Sequence, residues 1–235
     1  MAEKNPHIGH RQRLKNRYLK DGIDSFTPHQ ALELLLFYAV PYKDTNPLAH
    51  KLLDAFGSIS GVFDATQEQL RDFGLTDNQI ALMKMIPDFS RLYLTDRTSN
   101  SSKIVQMDKL CDYFISRFVG RNEEYLYLLL VDSKLKELYS GVVSRGSINT
   151  ADVPIRKIVQ LALEYNARYV VIAHNHPTGI ALPSAHDIDT TNMLFHALHM
   201  VGIRLFDHII VADNDAVSLA NSHYKDLIIA NDIET

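Results

Sequence analysis

Apolar and polar positions change rhythm once along this chain. In roughly the first hundred residues, apolar side chains recur at helical spacing and no alternating strand pattern appears. The spacing predicts helices over 8–20, 28–39, 45–56, 59–64, 67–72 and 77–94. Pro28 stands in the first turn of the second helix, which carries the run Leu32, Leu34, Leu35, Leu36. Gly57 supplies a stop for the third. The segment Arg97-Thr98-Ser99-Asn100-Ser101-Ser102 is polar, lacks any period, and reads as a linker. It divides an all-α domain, 1–98, from a second domain, 103–235.

The second domain interleaves strands and helices. Residues 125–131 (YLYLLLV) form a continuous apolar run, the pattern of a strand buried on both faces. Asp132-Ser133-Lys134 turn the chain into a return strand at 136–143. A helix follows over 153–165, with Pro154 near its start and Ile155, Ile158, Val159 and Ala162 on one face. A strand at 169–173 (YVVIA), a helix at 185–201, a strand at 205–212 (LFDHIIVA) and a short strand at 216–220 complete it. This order indicates an α/β or α+β domain whose helices cover a central sheet.

Composition narrows the function classes. With 46% hydrophobic and 22% charged residues, the chain reads as an ordinary soluble globular protein. A net charge of -4 excludes a protein that coats nucleic acid over its whole surface. Twelve basic and twelve acidic side chains balance in residues 1–98, but Arg11, Arg13, Lys15, Arg17 and Lys20 form a basic stretch with no acid among them. That stretch is either a phosphate contact or a solvated helix face. The N-terminus has no apolar run after its charges, so no signal peptide is expected, and no run of 18 apolar residues predicts a membrane span. The single Cys111 excludes an internal disulfide and a cysteine-built zinc ribbon, fits a cytoplasmic protein, and itself reads as a small buried hydrophobe.

The informative chemistry lies at Ala173-His174-Asn175-His176-Pro177 and Pro183-Ser184-Ala185-His186-Asp187. His174 and His176 follow the strand 169–173 and, two positions apart in an extended chain, point to one side. Asp187, eleven residues later, falls in the first turn of the next helix, where a returning loop can bring its carboxylate to the same point. Two imidazoles and one carboxylate leave the fourth position of a tetrahedral zinc open for water, as in catalytic sites. Ser184-x-x-Asp187 is also a helix capping box, a role compatible with aiming Asp187. The donor set also accepts iron or manganese.

The series His174-x-His176, seven residues, Ser184, two residues, Asp187 has the spacing of the JAMM motif without a gap. Together with HNHPTG, the PS..D segment, the LFDHIIV strand, and the N-terminal GHRQRL, ELLLFYAV and FGSISGVFDA, it makes the chain resemble the bacterial RadC family over residues 8 to 220. The resemblance implies a JAMM/MPN-like (cytidine-deaminase-like) domain with a central mixed sheet and flanking helices, preceded by a helix-hairpin-helix-like domain. It implies a zinc metallopeptidase or isopeptidase site with His174, His176 and Asp187 as ligands. Glu124, eight positions before Asp132 as in the family pattern, then accepts the proton of the attacking water, with Glu123 the adjacent alternative. Ser184 would donate to the oxyanion. The peptide or protein substrate is not named by any residue. The family's acidic residue in the middle helix is missing from Pro154-Ile155-Arg156-Lys157, which leaves Glu124 the better carboxylate. His186 reads as a rim residue. Asp207-His208 is either a partner that orients a ligand or a buried hydrogen-bonded pair.

The family's hairpin corresponds to Phe73-Gly74-Leu75-Thr76, where Thr76 replaces a second glycine. DNA contact through the helical domain, in a non-catalytic repair or recombination factor, is the alternative function. The letters HNH at 174–176 suggest a nuclease, but such enzymes spread those residues over a ββα hairpin rather than one strand end.

Overall fold

The computed structural model describes residues 9–98, 105–146, 153–177 and 179–224. The chain divides into two compact units, Met1–Phe89 and Ser90–Thr235.

The first unit contains α1 (His10–Asp21), α2 (Pro28–Leu36), α3 (Asn46–Phe56), α4 (Ile59–Asp64), α5 (Gln67–Asp72) and the start of α6 (Asp77–Thr98). Leu32, Leu36, Leu52, Val62, Leu70 and Met83 meet in its core. The second helix stops at Leu36, earlier than its pattern predicts, because the chain there turns under the Arg11 side chain. The Arg11 guanidinium donates to the carbonyls of Phe37 (3.2 Å), Val40 (2.5 Å) and Lys43, and lies over the Phe37 ring. Arg17 donates to the Ser25 carbonyl and to Gln30, and covers Phe26. With Lys15 Nζ 5.2 Å from the centre of the Tyr38 ring, three of the five basic side chains of the expected patch are thus engaged with the turn after α2 and the approach to it. Replacing Arg11 with methionine, which keeps the stem and removes the donors, is expected to lower stability by about 1–3 kcal/mol. Urea unfolding of the full chain measures this, and an unchanged midpoint would refute the capping role.

The hairpin between α5 and α6 also spends its donors internally. Gly74 adopts φ +100, the left-handed conformation that glycine tolerates. The N–H groups of Gly74 and Leu75 donate to the carbonyls of Arg71 and Leu70, closing α5. The Thr76 N–H donates to Gln79 Oε1, 2.8 Å away. α6 runs through Arg97 and Thr98, the first two residues of the expected linker; 99–102 lie outside the described residues. The division after Phe89 falls inside α6, two residues beyond Pro87, which cannot donate to the preceding turn.

The second unit continues with α7 (Leu110–Phe118), β1 (Tyr125–Val131), β2 (Glu137–Arg145), α8 (Ile155–Glu164), β3 (Tyr169–Asn175), α9 (Ala185–His199), β4 (Arg204–Ala212) and β5 (Asp215–Ser218). The strands form one sheet in the order β2-β1-β3-β4-β5. β3 and β4 are parallel and the other neighbours antiparallel, so the sheet is mixed, as expected. β1 is apolar at every position because both faces of the sheet are covered. Leu126, Leu128 and Leu130 point to α8 and α9, packing with Ile158, Ala162, Leu194 and Leu198. Leu129 and Val131 point to α7, packing with Leu110, Phe114 and Phe118. α7 is absent from the elements expected above, although Leu110, Phe114 and Phe118 stand at helical spacing. Cys111, expected to be buried, is half-buried at the edge of this second core. Among the described residues, no helix is long and apolar enough to cross a membrane.

β3 is longer than its apolar run. His174 and Asn175, expected just beyond the strand, belong to it: they pair with Ile210 and Val211 of β4, and His174 also faces Leu126 of β1. Backbone pairing on both sides extends the strand past the last apolar side chain.

Candidate metal centre

Alternation along β3 sends His174 to the α9 side of the sheet, with Val170 and Ile172, and Asn175 to the α7 side. His174 is 4% exposed. Its Nε2 lies 2.8 Å from His176 Nε2 and 3.0 Å from Asp187 Oδ1, and His176 Nε2 lies 3.6 Å from Asp187 Oδ2. These are spacings suited to sharing one ion: ligands at ~2.0–2.1 Å around a tetrahedral zinc stand ~3.3 Å apart. The three residues are the His/Cys/Asp/Glu group of the described residues whose donor atoms converge on one point.

Asp187 is aimed by the start of α9. Ser184 caps that helix: its Oγ accepts from the Asp187 N–H (3.2 Å), while the Ser184 N–H and O–H donate to Asp187 Oδ2 at 2.7 and 2.6 Å. This is the capping box legible in the sequence. It occupies one carboxylate oxygen and leaves Oδ1 facing His174. The single Ser184 proton is directed at Asp187 in this arrangement.

A chain of hydrogen bonds decides where the protons sit. Thr191 donates to the Asp187 carbonyl (2.5 Å), an atom that can only accept. The Thr191 oxygen, 2.7 Å from His208 Nδ1, therefore receives that N–H. His208 Nε2 is then the acceptor in its 2.8 Å contact with His174 Nδ1. In the neutral ring, His174 Nε2 is left with a lone pair. His176 Nδ1 donates to the Ile180 carbonyl at 3.2 Å, so in its neutral form its Nε2 also carries a lone pair. Two nitrogen lone pairs and a carboxylate oxygen face one another. Only a cation or an added proton relieves that convergence. This is the observation that fits the side chains to a divalent ion.

The protonation tendencies agree. The Asp187 hydrogen bond raises the His176 imidazole above its ordinary value against the opposing effect of burial, and Glu124 adds to the rise. Burial pushes the Asp187 carboxyl up, but the facing His174 and His176 imidazoles and the Ser184 hydroxyl outweigh it and hold it below the usual carboxylate range. Burial keeps His208 well below the ordinary imidazole value, in keeping with its neutral role.

His208 thus orients His174, a candidate ligand, and Asp207 belongs to the buried alternative. Asp207 points to the other face and accepts from Ser218 (2.6 Å), the Ala220 N–H (3.0 Å) and the His208 N–H (2.7 Å), fixing the end of β5. Burial raises its carboxyl. Thr191 was not singled out in the sequence, yet it stands one helical turn after Asp187. The polar pair Asp207-His208 inside a largely apolar strand was the available signal that buried partners exist. Thr191→Val, close in shape and without the hydroxyl, is expected to weaken zinc binding about 10–100-fold. Competition with a chelator at fixed pH measures it, and an unaltered affinity would refute the proton chain.

Glu124 and Glu123 part company at the start of β1. Glu124 is half-buried, and its negative charge reaches His176. Glu123 is exposed and forms a two-point ion pair with Arg145 (3.0 and 3.1 Å). His186 is not among the converging groups.

A family profile described as RadC-like JAB domain matches residues 104–224, more than half of the chain. The chain belongs to the RadC-like JAB family. The RadC-like chain is 32% identical to a UPF0758 protein of Fusobacterium nucleatum over 226 residues, covering 93% of this chain and 97% of the relative. It is 31% identical to a UPF0758 protein of Ruegeria pomeroyi over 216 residues, covering 92% and 96%. The matched segment of the RadC-like chain contains Glu124, His174, His176, Ser184 and Asp187.

Proposed function

We propose that this protein is a zinc-dependent hydrolase that cleaves an amide bond in a peptide or isopeptide substrate. The observation that carries this reading is the meeting of two imidazole nitrogens and the Asp187 carboxylate at 2.8–3.6 Å, with the charge of half-buried Glu124 reaching His176. Zinc bound there supplies Lewis acidity for a carbonyl and lowers the pKa of a water toward neutrality.

The protein's own groups do the rest. His174 and His176 present Nε2, their other ring nitrogens being held by His208 and Ile180. Glu124 takes a proton from the attacking water and returns it to the departing amine. Ser184 is exposed enough to reach a substrate, and donates to the developing oxyanion once its hydroxyl turns from Asp187 Oδ2. A purely structural ion would need neither the open coordination position nor the nearby carboxylate.

The test is a peptide and isopeptide cleavage screen on zinc-loaded protein, with Glu124→Gln as control. Glu124→Gln is expected to keep its zinc and lose about 10²–10⁴-fold in rate. Full activity in a zinc-loaded Glu124→Gln variant would refute the role of Glu124. No cleavage of any amide substrate by zinc-replete wild type would refute the reading.

A further inference from the structure

Between the two histidine ligands stands a residue that the metal centre does not use. Asn175 is 4% exposed and, by strand alternation, turns away from the ion site. We propose that Asn175 is a positioning residue, tying the segment that carries Glu124 to the strand that carries the metal ligands. This rests on the hydrolase reading for the role of Glu124.

The geometry is specific. Backbone pairing between β1 and β3 ends at Leu126 and His174. One step further, the Asn175 side chain takes the place of the ladder. Its Oδ1 accepts from the Tyr125 N–H at 2.8 Å, and its Nδ2 donates to the carbonyls of Glu123 (2.9 Å) and Arg121 (3.2 Å). The Glu123 carbonyl and the Tyr125 N–H belong to the two peptide units that flank Glu124. From the β2 side, the Gly146 N–H donates to the Glu124 carbonyl at 2.9 Å. The Glu124 backbone is therefore held from both sides, and the Asn175 bonds register it directly to the residue between His174 and His176.

The Asn175 amide matches this arrangement. The amide provides one acceptor and two donors, and all three are used. An aspartate would set a carboxylate oxygen against two carbonyl oxygens. A serine is too short to bridge the three groups, and a glutamine carries an extra methylene into a closed space. The chemistry needs this precision, because displacing a proton acceptor by about 1 Å can cost roughly 10²-fold in rate. The geometry also accounts for the middle letter of the His-Asn-His sequence without placing it among the ligands.

The test uses the full chain loaded with Co(II), whose visible ligand-field bands report changes around the ion. Asn175→Asp, Asn175→Ser, Glu124→Gln and the double variant Glu124→Gln/Asn175→Asp are compared with wild type, each checked by thermal melting. Both Asn175 variants are expected to retain about one cobalt per chain. They should shift the bands in the same sense as Glu124→Gln, while Asn175→Asp adds nothing in the Glu124→Gln background. Hydrogen exchange at the Tyr125 amide should accelerate at least about tenfold in Asn175→Ser. Unaltered bands in cobalt-loaded Asn175 variants, or a full additional shift in the double variant, would overturn the proposal and leave the hydrolase reading standing. Failure of wild type to take up cobalt would overturn both.

Discussion

Asp187→Ala is expected to abolish stoichiometric zinc binding and, with it, zinc-dependent thermal stabilisation. Wild type should gain stability as zinc is added, by about 2.7 kcal/mol when free zinc stands at 100 times its dissociation constant. Asp187→Ala should gain nothing, because two imidazoles alone leave the ion without its anionic ligand. Asp187→Asn should behave alike in zinc binding while keeping more of the helix start, since an amide oxygen can still accept from the Ser184 N–H. Elemental analysis and melting with and without zinc measure both effects. Zinc-dependent stabilisation surviving in Asp187→Ala would mean that the ion sits elsewhere.

The same variant separates two pH effects in the metal-free protein. His176 is raised in the folded state, so its proton stabilises the fold below the ordinary imidazole range, and that contribution is lost as pH rises through the raised value. Asp187 is lowered, so its charge stabilises above the ordinary carboxylate range and is lost as pH falls through the lowered value. The pair therefore stabilises the metal-free fold most between about pH 4 and about pH 6.5. Asp187→Ala should flatten that maximum. Zinc must displace the His176 proton, so wild-type affinity should fall on acidification.

Phe114→Ala is expected to destabilise the chain by about 3–5 kcal/mol without removing any metal ligand. Phe114 is fully buried, between the sheet and α7, with its ring edge-on to Tyr113 (5.0 Å) and Tyr127 (5.9 Å). It lies on the face of the sheet opposite the imidazoles, so zinc stoichiometry of the folded fraction should hold while the denaturation midpoint drops. A loss under about 1 kcal/mol would mean that α7 repacks freely and contributes little to the core.

Strand β1 was legible to the residue, because a seven-residue apolar run bounded by charges has few alternatives. Helix ends were less legible. α2 is cut short by Arg11 and by the turn at Phe37, an interaction across 26 positions that no local pattern contains. α6 overran its expected end because Arg97 and Thr98, polar enough for a linker, are equally at home in a solvated helix. α7 carried a helical signal in Leu110, Phe114 and Phe118, but it is short at nine residues and stands close behind the polar segment read as a linker.

In the site, motif spacing together with the family resemblance nominated His174, His176, Ser184 and Asp187. Residues at i and i+2 of a strand share a side, and a capping box fixes the carboxylate at its far end, so short-range geometry shapes each half of the site. The partners that give those ligands their chemistry come from elsewhere in the chain. His208 lies 34 positions from His174, and the Tyr125 N–H that Asn175 holds lies 50 away. Sequence could nominate His208 and leave its role open between two readings. Only the parallel pairing of β3 with β4 places its ring behind His174, and only the end of the β1–β3 ladder leaves a gap for an amide to fill. Local order is written in spacing and propensity, whereas the positions of protons depend on contacts that exist only after the sheet has assembled.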